Sequence, residues 1–371
     1  MVIMALDHTR DYFHASAYVF DPADPVQSTL PIFFTRWITH FCAPAFSFLA
    51  GLSAFMVGRR KTVKQLSGFL LKRGLWLIFI EFTIVNFAWY FDVQFRTFGL
   101  LVIWSLGVSM IVLAALVHLP RKFILIFSCL LIFGHNLLDG VHFNGELWWS
   151  MLHELTFYKL WGNAQLLAAY PIIPWIAVMA LGYCFGIYYE PSFDNTRRRK
   201  LFNTIGVAAI ILFIIGRWVS VYGNPQPWKH YATISQNIIS FLNPAKYPPS
   251  LLYLLMTLGV LFIFLANSEK LRGGLVNFFS TFGRVPFFYY ILHLYLIHGL
   301  AVLFAWLSGF GWDKLILSTW ISFDPHVKGY GFSLWVVYAV WIGVILCLYP
   351  FCKKFDNYKQ RHKEKWWLSY L

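Results

Sequence analysis

The chain has 371 residues, of which 59% are hydrophobic, 20% are aromatic and only 12% are charged. This composition excludes an ordinary water-soluble domain and predicts an integral membrane protein. The formal net charge is +14, but the Lys and Arg residues stand in short clusters between apolar stretches. That pattern favours lipid headgroups as their partner, so we expect a lipid bilayer and no nucleic acid among the partners of the protein.

The cysteines carry no signal of a disulfide framework or of a metal site. All five stand singly in or beside apolar stretches, without a C-x-x-C pair and without a His at ligand spacing. The sequence also shows no N-x-S/T acceptor and no cleavable signal peptide, which favours the inner membrane of a bacterium.

Nine apolar stretches are long enough, or nearly so, to cross a hydrocarbon core of about 30 Å as helices. They cover residues 31–57, 72–90, 99–119, 121–138, 168–188, 201–220, 249–267, 283–306 and 333–352. A tenth, at residues 1–14, has only six apolar residues before Asp7, about 9 Å of helix, so we expect the natural chain to extend upstream. The predicted fold is one all-α transmembrane domain over residues 1–371, a bundle of about ten helices with a truncated first helix and a basic cytoplasmic tail at 352–371.

The charged loops predict an orientation for this bundle. Basic clusters fall on one side, at residues 59–73, 121–122, 197–200, 270–272 and 353–365. The positive-inside rule places these loops and both termini in the cytoplasm. The opposite face carries the long loops 139–167, 221–248 and 307–332, which are rich in Trp, Tyr, Asn and Pro and suit either a substrate vestibule or an interfacial cover.

Five ionisable side chains crowd the outer end of the first span: Asp7, His8, Arg10, Asp11 and His14. On a helix, Asp7, Arg10, Asp11 and His14 share one face, and His8 lies about 100° round from Asp7. Ionisable groups inside a span are costly unless they are paired or face water. The cluster is therefore either a salt-bridged helix end or a reactive centre.

Several other spans carry polar side chains, which we expect to converge on a polar cavity. In the outer half of the second span, Arg36 and His40 stand four apart on one helix face and could meet the first cluster across a short turn. The candidates for substrate binding are Arg36, His40, Asn136, Asp139, Tyr289, His293 and His298. In the third span, Glu81 is expected to pair with an Arg or His of a neighbouring span. A zinc-protease motif would need a His at position 157, where Phe157 stands, and the chain lacks the phosphate-loop, dinucleotide and nucleophile-elbow motifs.

Six blocks of the chain resemble the bacterial branch of the heparan-alpha-glucosaminide N-acetyltransferase catalytic-domain family. They are MALDHTRDYF, FTRWITHFCAPAFSFLAG, RGLWLIFIEFTIVNF, YPPSLLYLLMTLG, FGRVPFFYYILHLYLIH and YGFSLWVVYAVWIGVILCLYP. The resemblance runs over nearly the whole chain. It implies a multispan membrane enzyme that takes acetyl-CoA from the cytoplasm and acetylates a sugar amine on the far side.

The resemblance leaves two candidates for the catalytic base. The family's lysosomal members have a catalytic His followed by Ala-Ser, and Phe13-His14-Ala15-Ser16 is the nearest match here. Those members have an Asn where this chain has Asp7-His8, whereas the wider group of membrane acyltransferases places a His near the outer end of the first span. Both His8 and His14 therefore stay open, as do the acceptor and the choice between N- and O-acetylation.

Acyl transfer from a thioester needs a general base, for which His is suited, and stabilisation of the oxyanion. Asp7 or Asp11 could orient the base, and Arg10 or Arg36 could stabilise the oxyanion. No nucleophilic Ser or Cys arrangement is visible, so we expect direct transfer. The CoA phosphates need a basic cytoplasmic mouth, and the candidates are Arg59, Arg60, Lys72, Arg73 and Arg284, although the positive-inside rule explains the same charges without CoA.

The same residues also suit a protein that is not an enzyme. A transporter or flippase for a sugar, lipid or small anion would use the same His and Asp groups as a proton relay. A structural role in envelope assembly is a third hypothesis. A homodimer is possible, and the sequence does not give the oligomeric state.

Overall fold

The computed structural model describes residues 1–143 and 146–370, and these residues are mostly helical. They form two compact units. The first unit comprises Met1–Thr39, Phe82–Phe98 and the chain from Leu271 onward, and the second comprises His40–Glu81 and Gly99–Lys270.

The helices of the first unit are α1 (Val2–Phe13), α2 (Leu30–Trp37), α5 (Asn86–Tyr90), α13 (Gly274–Arg284), α14 (Pro286–Leu307) and α15 (Leu334–Arg361). Those of the second unit are α3 (Cys42–Gly58), α4 (Val63–Ile80), α6 (Val102–Leu116), α7 (Arg121–Gly134), α8 (Leu147–Leu152), α9 (Ile172–Phe185), α10 (Asn195–Val219), α11 (Ile234–Leu242) and α12 (Leu251–Ser268). In the first unit, α1 packs against α14 and α15. These contacts bury one face of α1, including Leu6, Tyr12 and Phe13.

Seven helical segments of the described residues are long and apolar enough to cross a membrane. They are Leu30–Gly58, Arg121–Leu138, Ile172–Tyr189, Asn195–Val219, Leu251–Ser268, Pro286–Leu307 and Leu334–Arg361. Each corresponds to one of the ten spans predicted from the sequence. The protein is therefore a mostly helical membrane protein, and the orientation of its termini stays a prediction.

The other three predicted spans are helical over most of their length, but none is both as long and as apolar as these seven. Helix α1 has 12 residues and α6 has 15, which at 1.5 Å per residue give about 18 and 22 Å. Helix α4 begins at Val63 with a capping box between Thr62 and Gln65, so it starts nine residues before the predicted 72–90 span and includes its charged side chains. These three spans stay predictions.

Two helix boundaries differ from the prediction because the backbone changes conformation there. The predicted span 283–306 starts at Pro286, since Val285 has an extended φ of −127° and Pro fits the first turn of a helix. Arg284 is therefore the last residue of the preceding helix α13. The predicted tail 352–371 is not a separate segment at its start, because α15 continues to Arg361.

A small sheet departs from the predicted all-α fold. Three short strands, β1 (Thr97–Leu100), β2 (Thr156–Lys159) and β3 (Gln165–Ala168), follow the order β1-β3-β2. Strands β2 and β3 form an antiparallel hairpin with Thr156 opposite Ala168. The predicted outer loop 139–167 thus contains a helix and a hairpin in its described part.

Helix pairs of the second unit cross at glycines. A Cβ atom on Gly51 of α3 would lie 1.8 Å from the carbonyl oxygen of Met179 on α9, and one on Gly182 of α9 would lie 2.0 Å from that of Phe48. The pairs α4–α6 and α10–α12 have the same arrangement, at Gly74 and Gly107 and at Gly206 and Gly259. Small residues at these crossings let the backbones approach closely, as is typical of helix packing in membranes.

Candidate active site

A chain of two hydrogen bonds links α1 to α14 in the first unit. The Nδ1 atom of His8 lies 2.8 Å from the Nε2 atom of His293, and the Nδ1 atom of His293 lies 2.8 Å from the backbone carbonyl oxygen of Tyr289. Both imidazoles are buried, and their rings stack with centroids 4.9 Å apart. Sequence analysis singled out both histidines but did not predict that they bond to each other.

The carbonyl at the end of this chain assigns the tautomers. A carbonyl oxygen only accepts hydrogen bonds, so Nδ1 of His293 donates its N–H to Tyr289. Neutral His293 then has its lone pair on Nε2 and accepts the Nδ1–H of His8. In neutral His8, the lone pair is consequently on Nε2, which is the form that can take a proton.

His8 lies among aromatic rings. Its ring centroid is 4.8 Å from that of Trp89, edge to face, and 6.3 Å from that of Tyr290. Trp320 packs against Trp89 at 5.0 Å, and the Tyr12 hydroxyl donates to the Trp89 carbonyl at 2.5 Å. Apart from its ring nitrogens, His8 therefore has a largely apolar surrounding, in which hydrogen bonds are stronger than in water.

Charged side chains of α1 and α2 form an ion cluster. One guanidinium nitrogen of Arg10 donates to Asp7 at 3.1 Å and to Asp11 at 2.5 Å. Arg36 of α2 donates to the other carboxylate oxygen of Asp7. The predicted meeting of Arg36 with the first cluster occurs here. Both guanidinium groups are committed to carboxylates, and the cluster ties α2 to α1.

His14 has a different environment from that of His8. It follows the last residue of α1, and its Nδ1 atom lies 2.5 Å from the hydroxyl oxygen of Ser16. Backbone hydrogen bonds from Phe332 to Phe13 and from Ala15 to Phe332 hold this segment. Because a hydroxyl both donates and accepts, the Ser16 contact does not assign the tautomer of His14. The sequence analysis did not anticipate a Ser–His pair here.

His298 is fully buried on α14, but it contacts backbone rather than a charged or reacting group. Its ring nitrogens each lie 2.8 Å from a carbonyl oxygen, of Ala88 and of Leu315, and its ring stacks on Phe91 at 3.8 Å. These contacts hold α5, and the loop that follows α14, against α14. They give His298 a structural place in the first unit.

The second unit holds other predicted substrate-binding residues. His40 lies in a 3-10 turn, Ile38–Phe41, so the α-helical spacing expected between Arg36 and His40 is interrupted. The His40 ring packs edge to face against Tyr253 at 5.6 Å, and the Tyr253 hydroxyl donates to the His40 carbonyl at 2.7 Å. His40 thus anchors the start of α3 to α12.

Asn136 and Asp139 belong to one hydrogen-bonded group. The Asn136 amide donates to Asp139 at 2.8 Å and its oxygen accepts the backbone N–H of Leu251 at 2.8 Å. The other Asp139 oxygen lies 2.9 Å from Nε2 of His153. Asn136 is therefore used to position Asp139 and the start of α12.

The predicted acetyl-CoA residues divide between the units. Arg59, Arg60 and Lys72 are exposed and Arg73 is half-buried, all in the second unit. Lys72 lies nine residues into α4, about 13 Å along its axis from Val63. In the first unit, Arg284 donates to Asp356 of α15 at 2.7 Å, so its charge already has a partner.

Glu81 has a different partner from the predicted one. Its carboxylate accepts the backbone N–H of Trp104 at 2.9 Å, in the first turn of α6. A carboxylate at this position satisfies an N–H that the helix leaves unpaired and is favoured by the helix dipole. Glu81 thus acts as a cap for α6, where we had expected an ion pair between spans.

Among the described residues, no group of three or more His, Cys, Asp or Glu side chains is placed to hold a metal ion.

The heparan-alpha-glucosaminide N-acetyltransferase catalytic family matches residues 8–225, which is more than half of the chain. The match begins at His8 and includes Arg10, Asp11 and Arg36 of the ion cluster, His14, and the whole of α2 to α10, whereas Asp7 and His293 lie outside it. Comparison with curated proteins and with solved structures found no match. The extent of the family match shows that this chain belongs to the heparan-alpha-glucosaminide N-acetyltransferase catalytic family, an acetyltransferase family.

Proposed function

We propose that the protein is a transmembrane acetyltransferase that moves an acetyl group from cytoplasmic acetyl-CoA to a sugar on the extracytoplasmic side of a bacterial inner membrane. The observation that carries this proposal is the hydrogen-bonded chain from His8 through His293 to the Tyr289 carbonyl. Family membership supplies the reaction class. The two hydrogen bonds supply a base, His8, whose neutral tautomer has its lone pair on Nε2.

His8 is the catalytic base in this proposal. A general base has to present a lone pair to the attacking amine or hydroxyl, and the chain to Tyr289 gives Nε2 of His8 that lone pair. When Nε2 takes the proton, the Nδ1–H bond to His293 becomes charge-assisted and about twice as strong. His293 therefore acts as a positioning residue for His8. Nothing comparable assigns the tautomer of His14, which is why we favour His8.

The ion cluster has a positioning role. Arg10 bonds to Asp7 and Asp11 and Arg36 bonds to Asp7, so removal of either cation would take one ion pair from a half-buried carboxylate. We propose that the cluster holds α1 against α2 and so keeps His8 at its place.

The phosphates of acetyl-CoA require cations on the cytoplasmic side, and we propose Arg59, Arg60, Lys72 and Arg73 for that role. All four are cationic, and Arg59, Arg60 and Lys72 are exposed. Arg284, which is paired with Asp356, is the weakest member of the predicted set.

The test is acetyl transfer from labelled acetyl-CoA to glucosamine-type glycans and to hydroxylated glycans, measured with detergent-purified protein. We expect His8→Ala to lower kcat by about 10²- to 10⁴-fold, the range that a general base contributes, and His14→Ala to retain most of the activity. Equal losses in the two variants would remove the assignment of His8. Substrate flux into liposomes without any CoA would instead show that the protein is a transporter.

A further inference from the structure

Trp89 of α5 carries a hydrogen-bond donor that the fold does not use. Its side chain is 5% exposed, and its indole Nε1–H is buried without an acceptor among the residues that the structure describes. The backbone carbonyl of the same residue does have a partner, the hydroxyl of Tyr12. A buried N–H without an acceptor costs free energy, so native proteins rarely leave one without a reason.

The indole ring is held beside the proposed base. Its centroid lies 4.8 Å from that of His8, 5.9 Å from that of Tyr12 and 5.0 Å from that of Trp320. Three packed rings restrict the indole, so its N–H is held in one orientation, on a ring that packs against His8. Such pre-organisation is what a donor needs in order to stabilise charge that develops during a reaction.

The cations that sequence analysis favoured for the oxyanion have other partners. Arg10 bonds to Asp7 and Asp11, and Arg36 bonds to Asp7. A guanidinium group that already neutralises a carboxylate offers less stabilisation to a new negative charge. The Trp89 N–H is neutral, buried and close to the base, and an oxyanion would satisfy it.

We propose that Trp89 is a catalytic residue whose indole N–H donates to the acetyl carbonyl oxygen as it becomes an oxyanion. The inference rests on the proposed function. The acceptor amine or hydroxyl attacks the carbonyl carbon of the thioester while its proton passes to Nε2 of His8. The carbonyl π electrons move to the oxygen that Trp89 binds. The carbon–sulfur bond then breaks, the carbonyl reforms, and the CoA thiolate leaves with the proton from His8.

The first test is Trp89→Phe, which keeps an aromatic ring and removes the N–H. Trp175→Phe is the matched control, because Trp175 is also buried with an Nε1–H that lacks an acceptor among the described residues, but it lies in the second unit. We expect Trp89→Phe to lower kcat about 10²-fold, the effect of losing one oxyanion donor, with little change in the KM for acetyl-CoA. Trp175→Phe should retain the wild-type kcat.

A second measurement distinguishes a direct contact from a change in packing. Dithioacetyl-CoA carries a sulfur in place of the carbonyl oxygen, and sulfur is a weak hydrogen-bond acceptor. The ratio of kcat for acetyl-CoA over dithioacetyl-CoA should fall about tenfold in Trp89→Phe and stay at the wild-type value in Trp175→Phe. An unchanged ratio in Trp89→Phe would overturn the role of Trp89. Absence of transfer by the wild-type protein would instead overturn the proposed function.

Discussion

Replacement of His293 by Leu tests the hydrogen-bonded chain directly. The change removes the acceptor for Nδ1–H of His8, which lies 2.8 Å away, and also the donor to the Tyr289 carbonyl. His8 then loses the contact that assigns its tautomer. The tautomer of His8 with its proton on Nε2, which cannot accept the proton of the substrate at that atom, becomes accessible.

The size of the effect follows from the strength of the bond in the transition state. As His8 takes the proton it becomes an imidazolium, and a hydrogen bond to a charged group contributes about 1.5–3 kcal/mol. Each 1.36 kcal/mol corresponds to tenfold in rate. We therefore expect His293→Leu to lower kcat by about 10- to 200-fold. The KM values should change little, because His293 is fully buried and does not contact substrate in the proposed mechanism.

The assay is acetyl transfer by detergent-purified variants, with thermal unfolding measured in parallel. His298→Leu is the matched control, since His298 lies on the same helix, is also fully buried and also makes two hydrogen bonds, but not to His8. His298→Leu should lose stability and keep kcat within about threefold of the wild-type value.

His293→Gln retains an acceptor oxygen, so its kcat should be about tenfold higher than that of His293→Leu. If His293→Leu and His298→Leu both lose activity in proportion to their loss of stability, the hydrogen bonds from His8 through His293 to Tyr289 have only a structural role.

Two further outcomes are expected. Ser16→Ala should keep at least half of the wild-type kcat, and neither protein should accumulate acetyl-enzyme in rapid-quench experiments, because direct transfer needs no Ser nucleophile. Total loss of activity would instead make Ser16 a nucleophile and His14 its base. Burial alone would raise the pKa of Asp92, but hydrogen bonds from Arg96 and from the backbone N–H groups of Gln94 and Arg96 outweigh it and lower this pKa. Since the folded pKa lies below the unfolded one, the charged carboxylate stabilises the fold above about pH 4 and this contribution is lost as the pH falls. Thermal unfolding should therefore show Asp92→Asn less stable than wild type at pH 7, with the difference shrinking in acid; a constant difference would contradict the linkage.

Local spacing predicted part of the candidate site. Asp7, Arg10 and Asp11 were expected on one face of a helix, and Arg10 does bridge both carboxylates. The approach of Arg36 was also expected, but across a short turn, whereas residues 14–29 separate its helix from the first one. These contacts arise from helical period and charge, which a sequence displays directly.

The long-range contacts could not be predicted in the same way. His8 and His293 are 285 positions apart, and no period relates residues on helices so distant in sequence. Glu81 was expected to meet a side-chain cation, but a helix N-terminus also offers N–H donors, and a sequence does not indicate which of these a buried carboxylate meets. The break at Ile38–Phe41 likewise depends on tertiary packing, which moved His40 out of the expected helical spacing.

The glycine crossings of the second unit have a consequence for handling the protein. Contacts between backbones at Gly51, Gly182, Gly206 and Gly259 depend on van der Waals fit, which is similar in lipid and in detergent. The first unit instead holds its centre together with hydrogen bonds and ion pairs between side chains, His8 to His293 among them. In the second unit, a side chain larger than Gly at any of these crossings should push the helix pair apart and impair folding in lipid and in detergent alike.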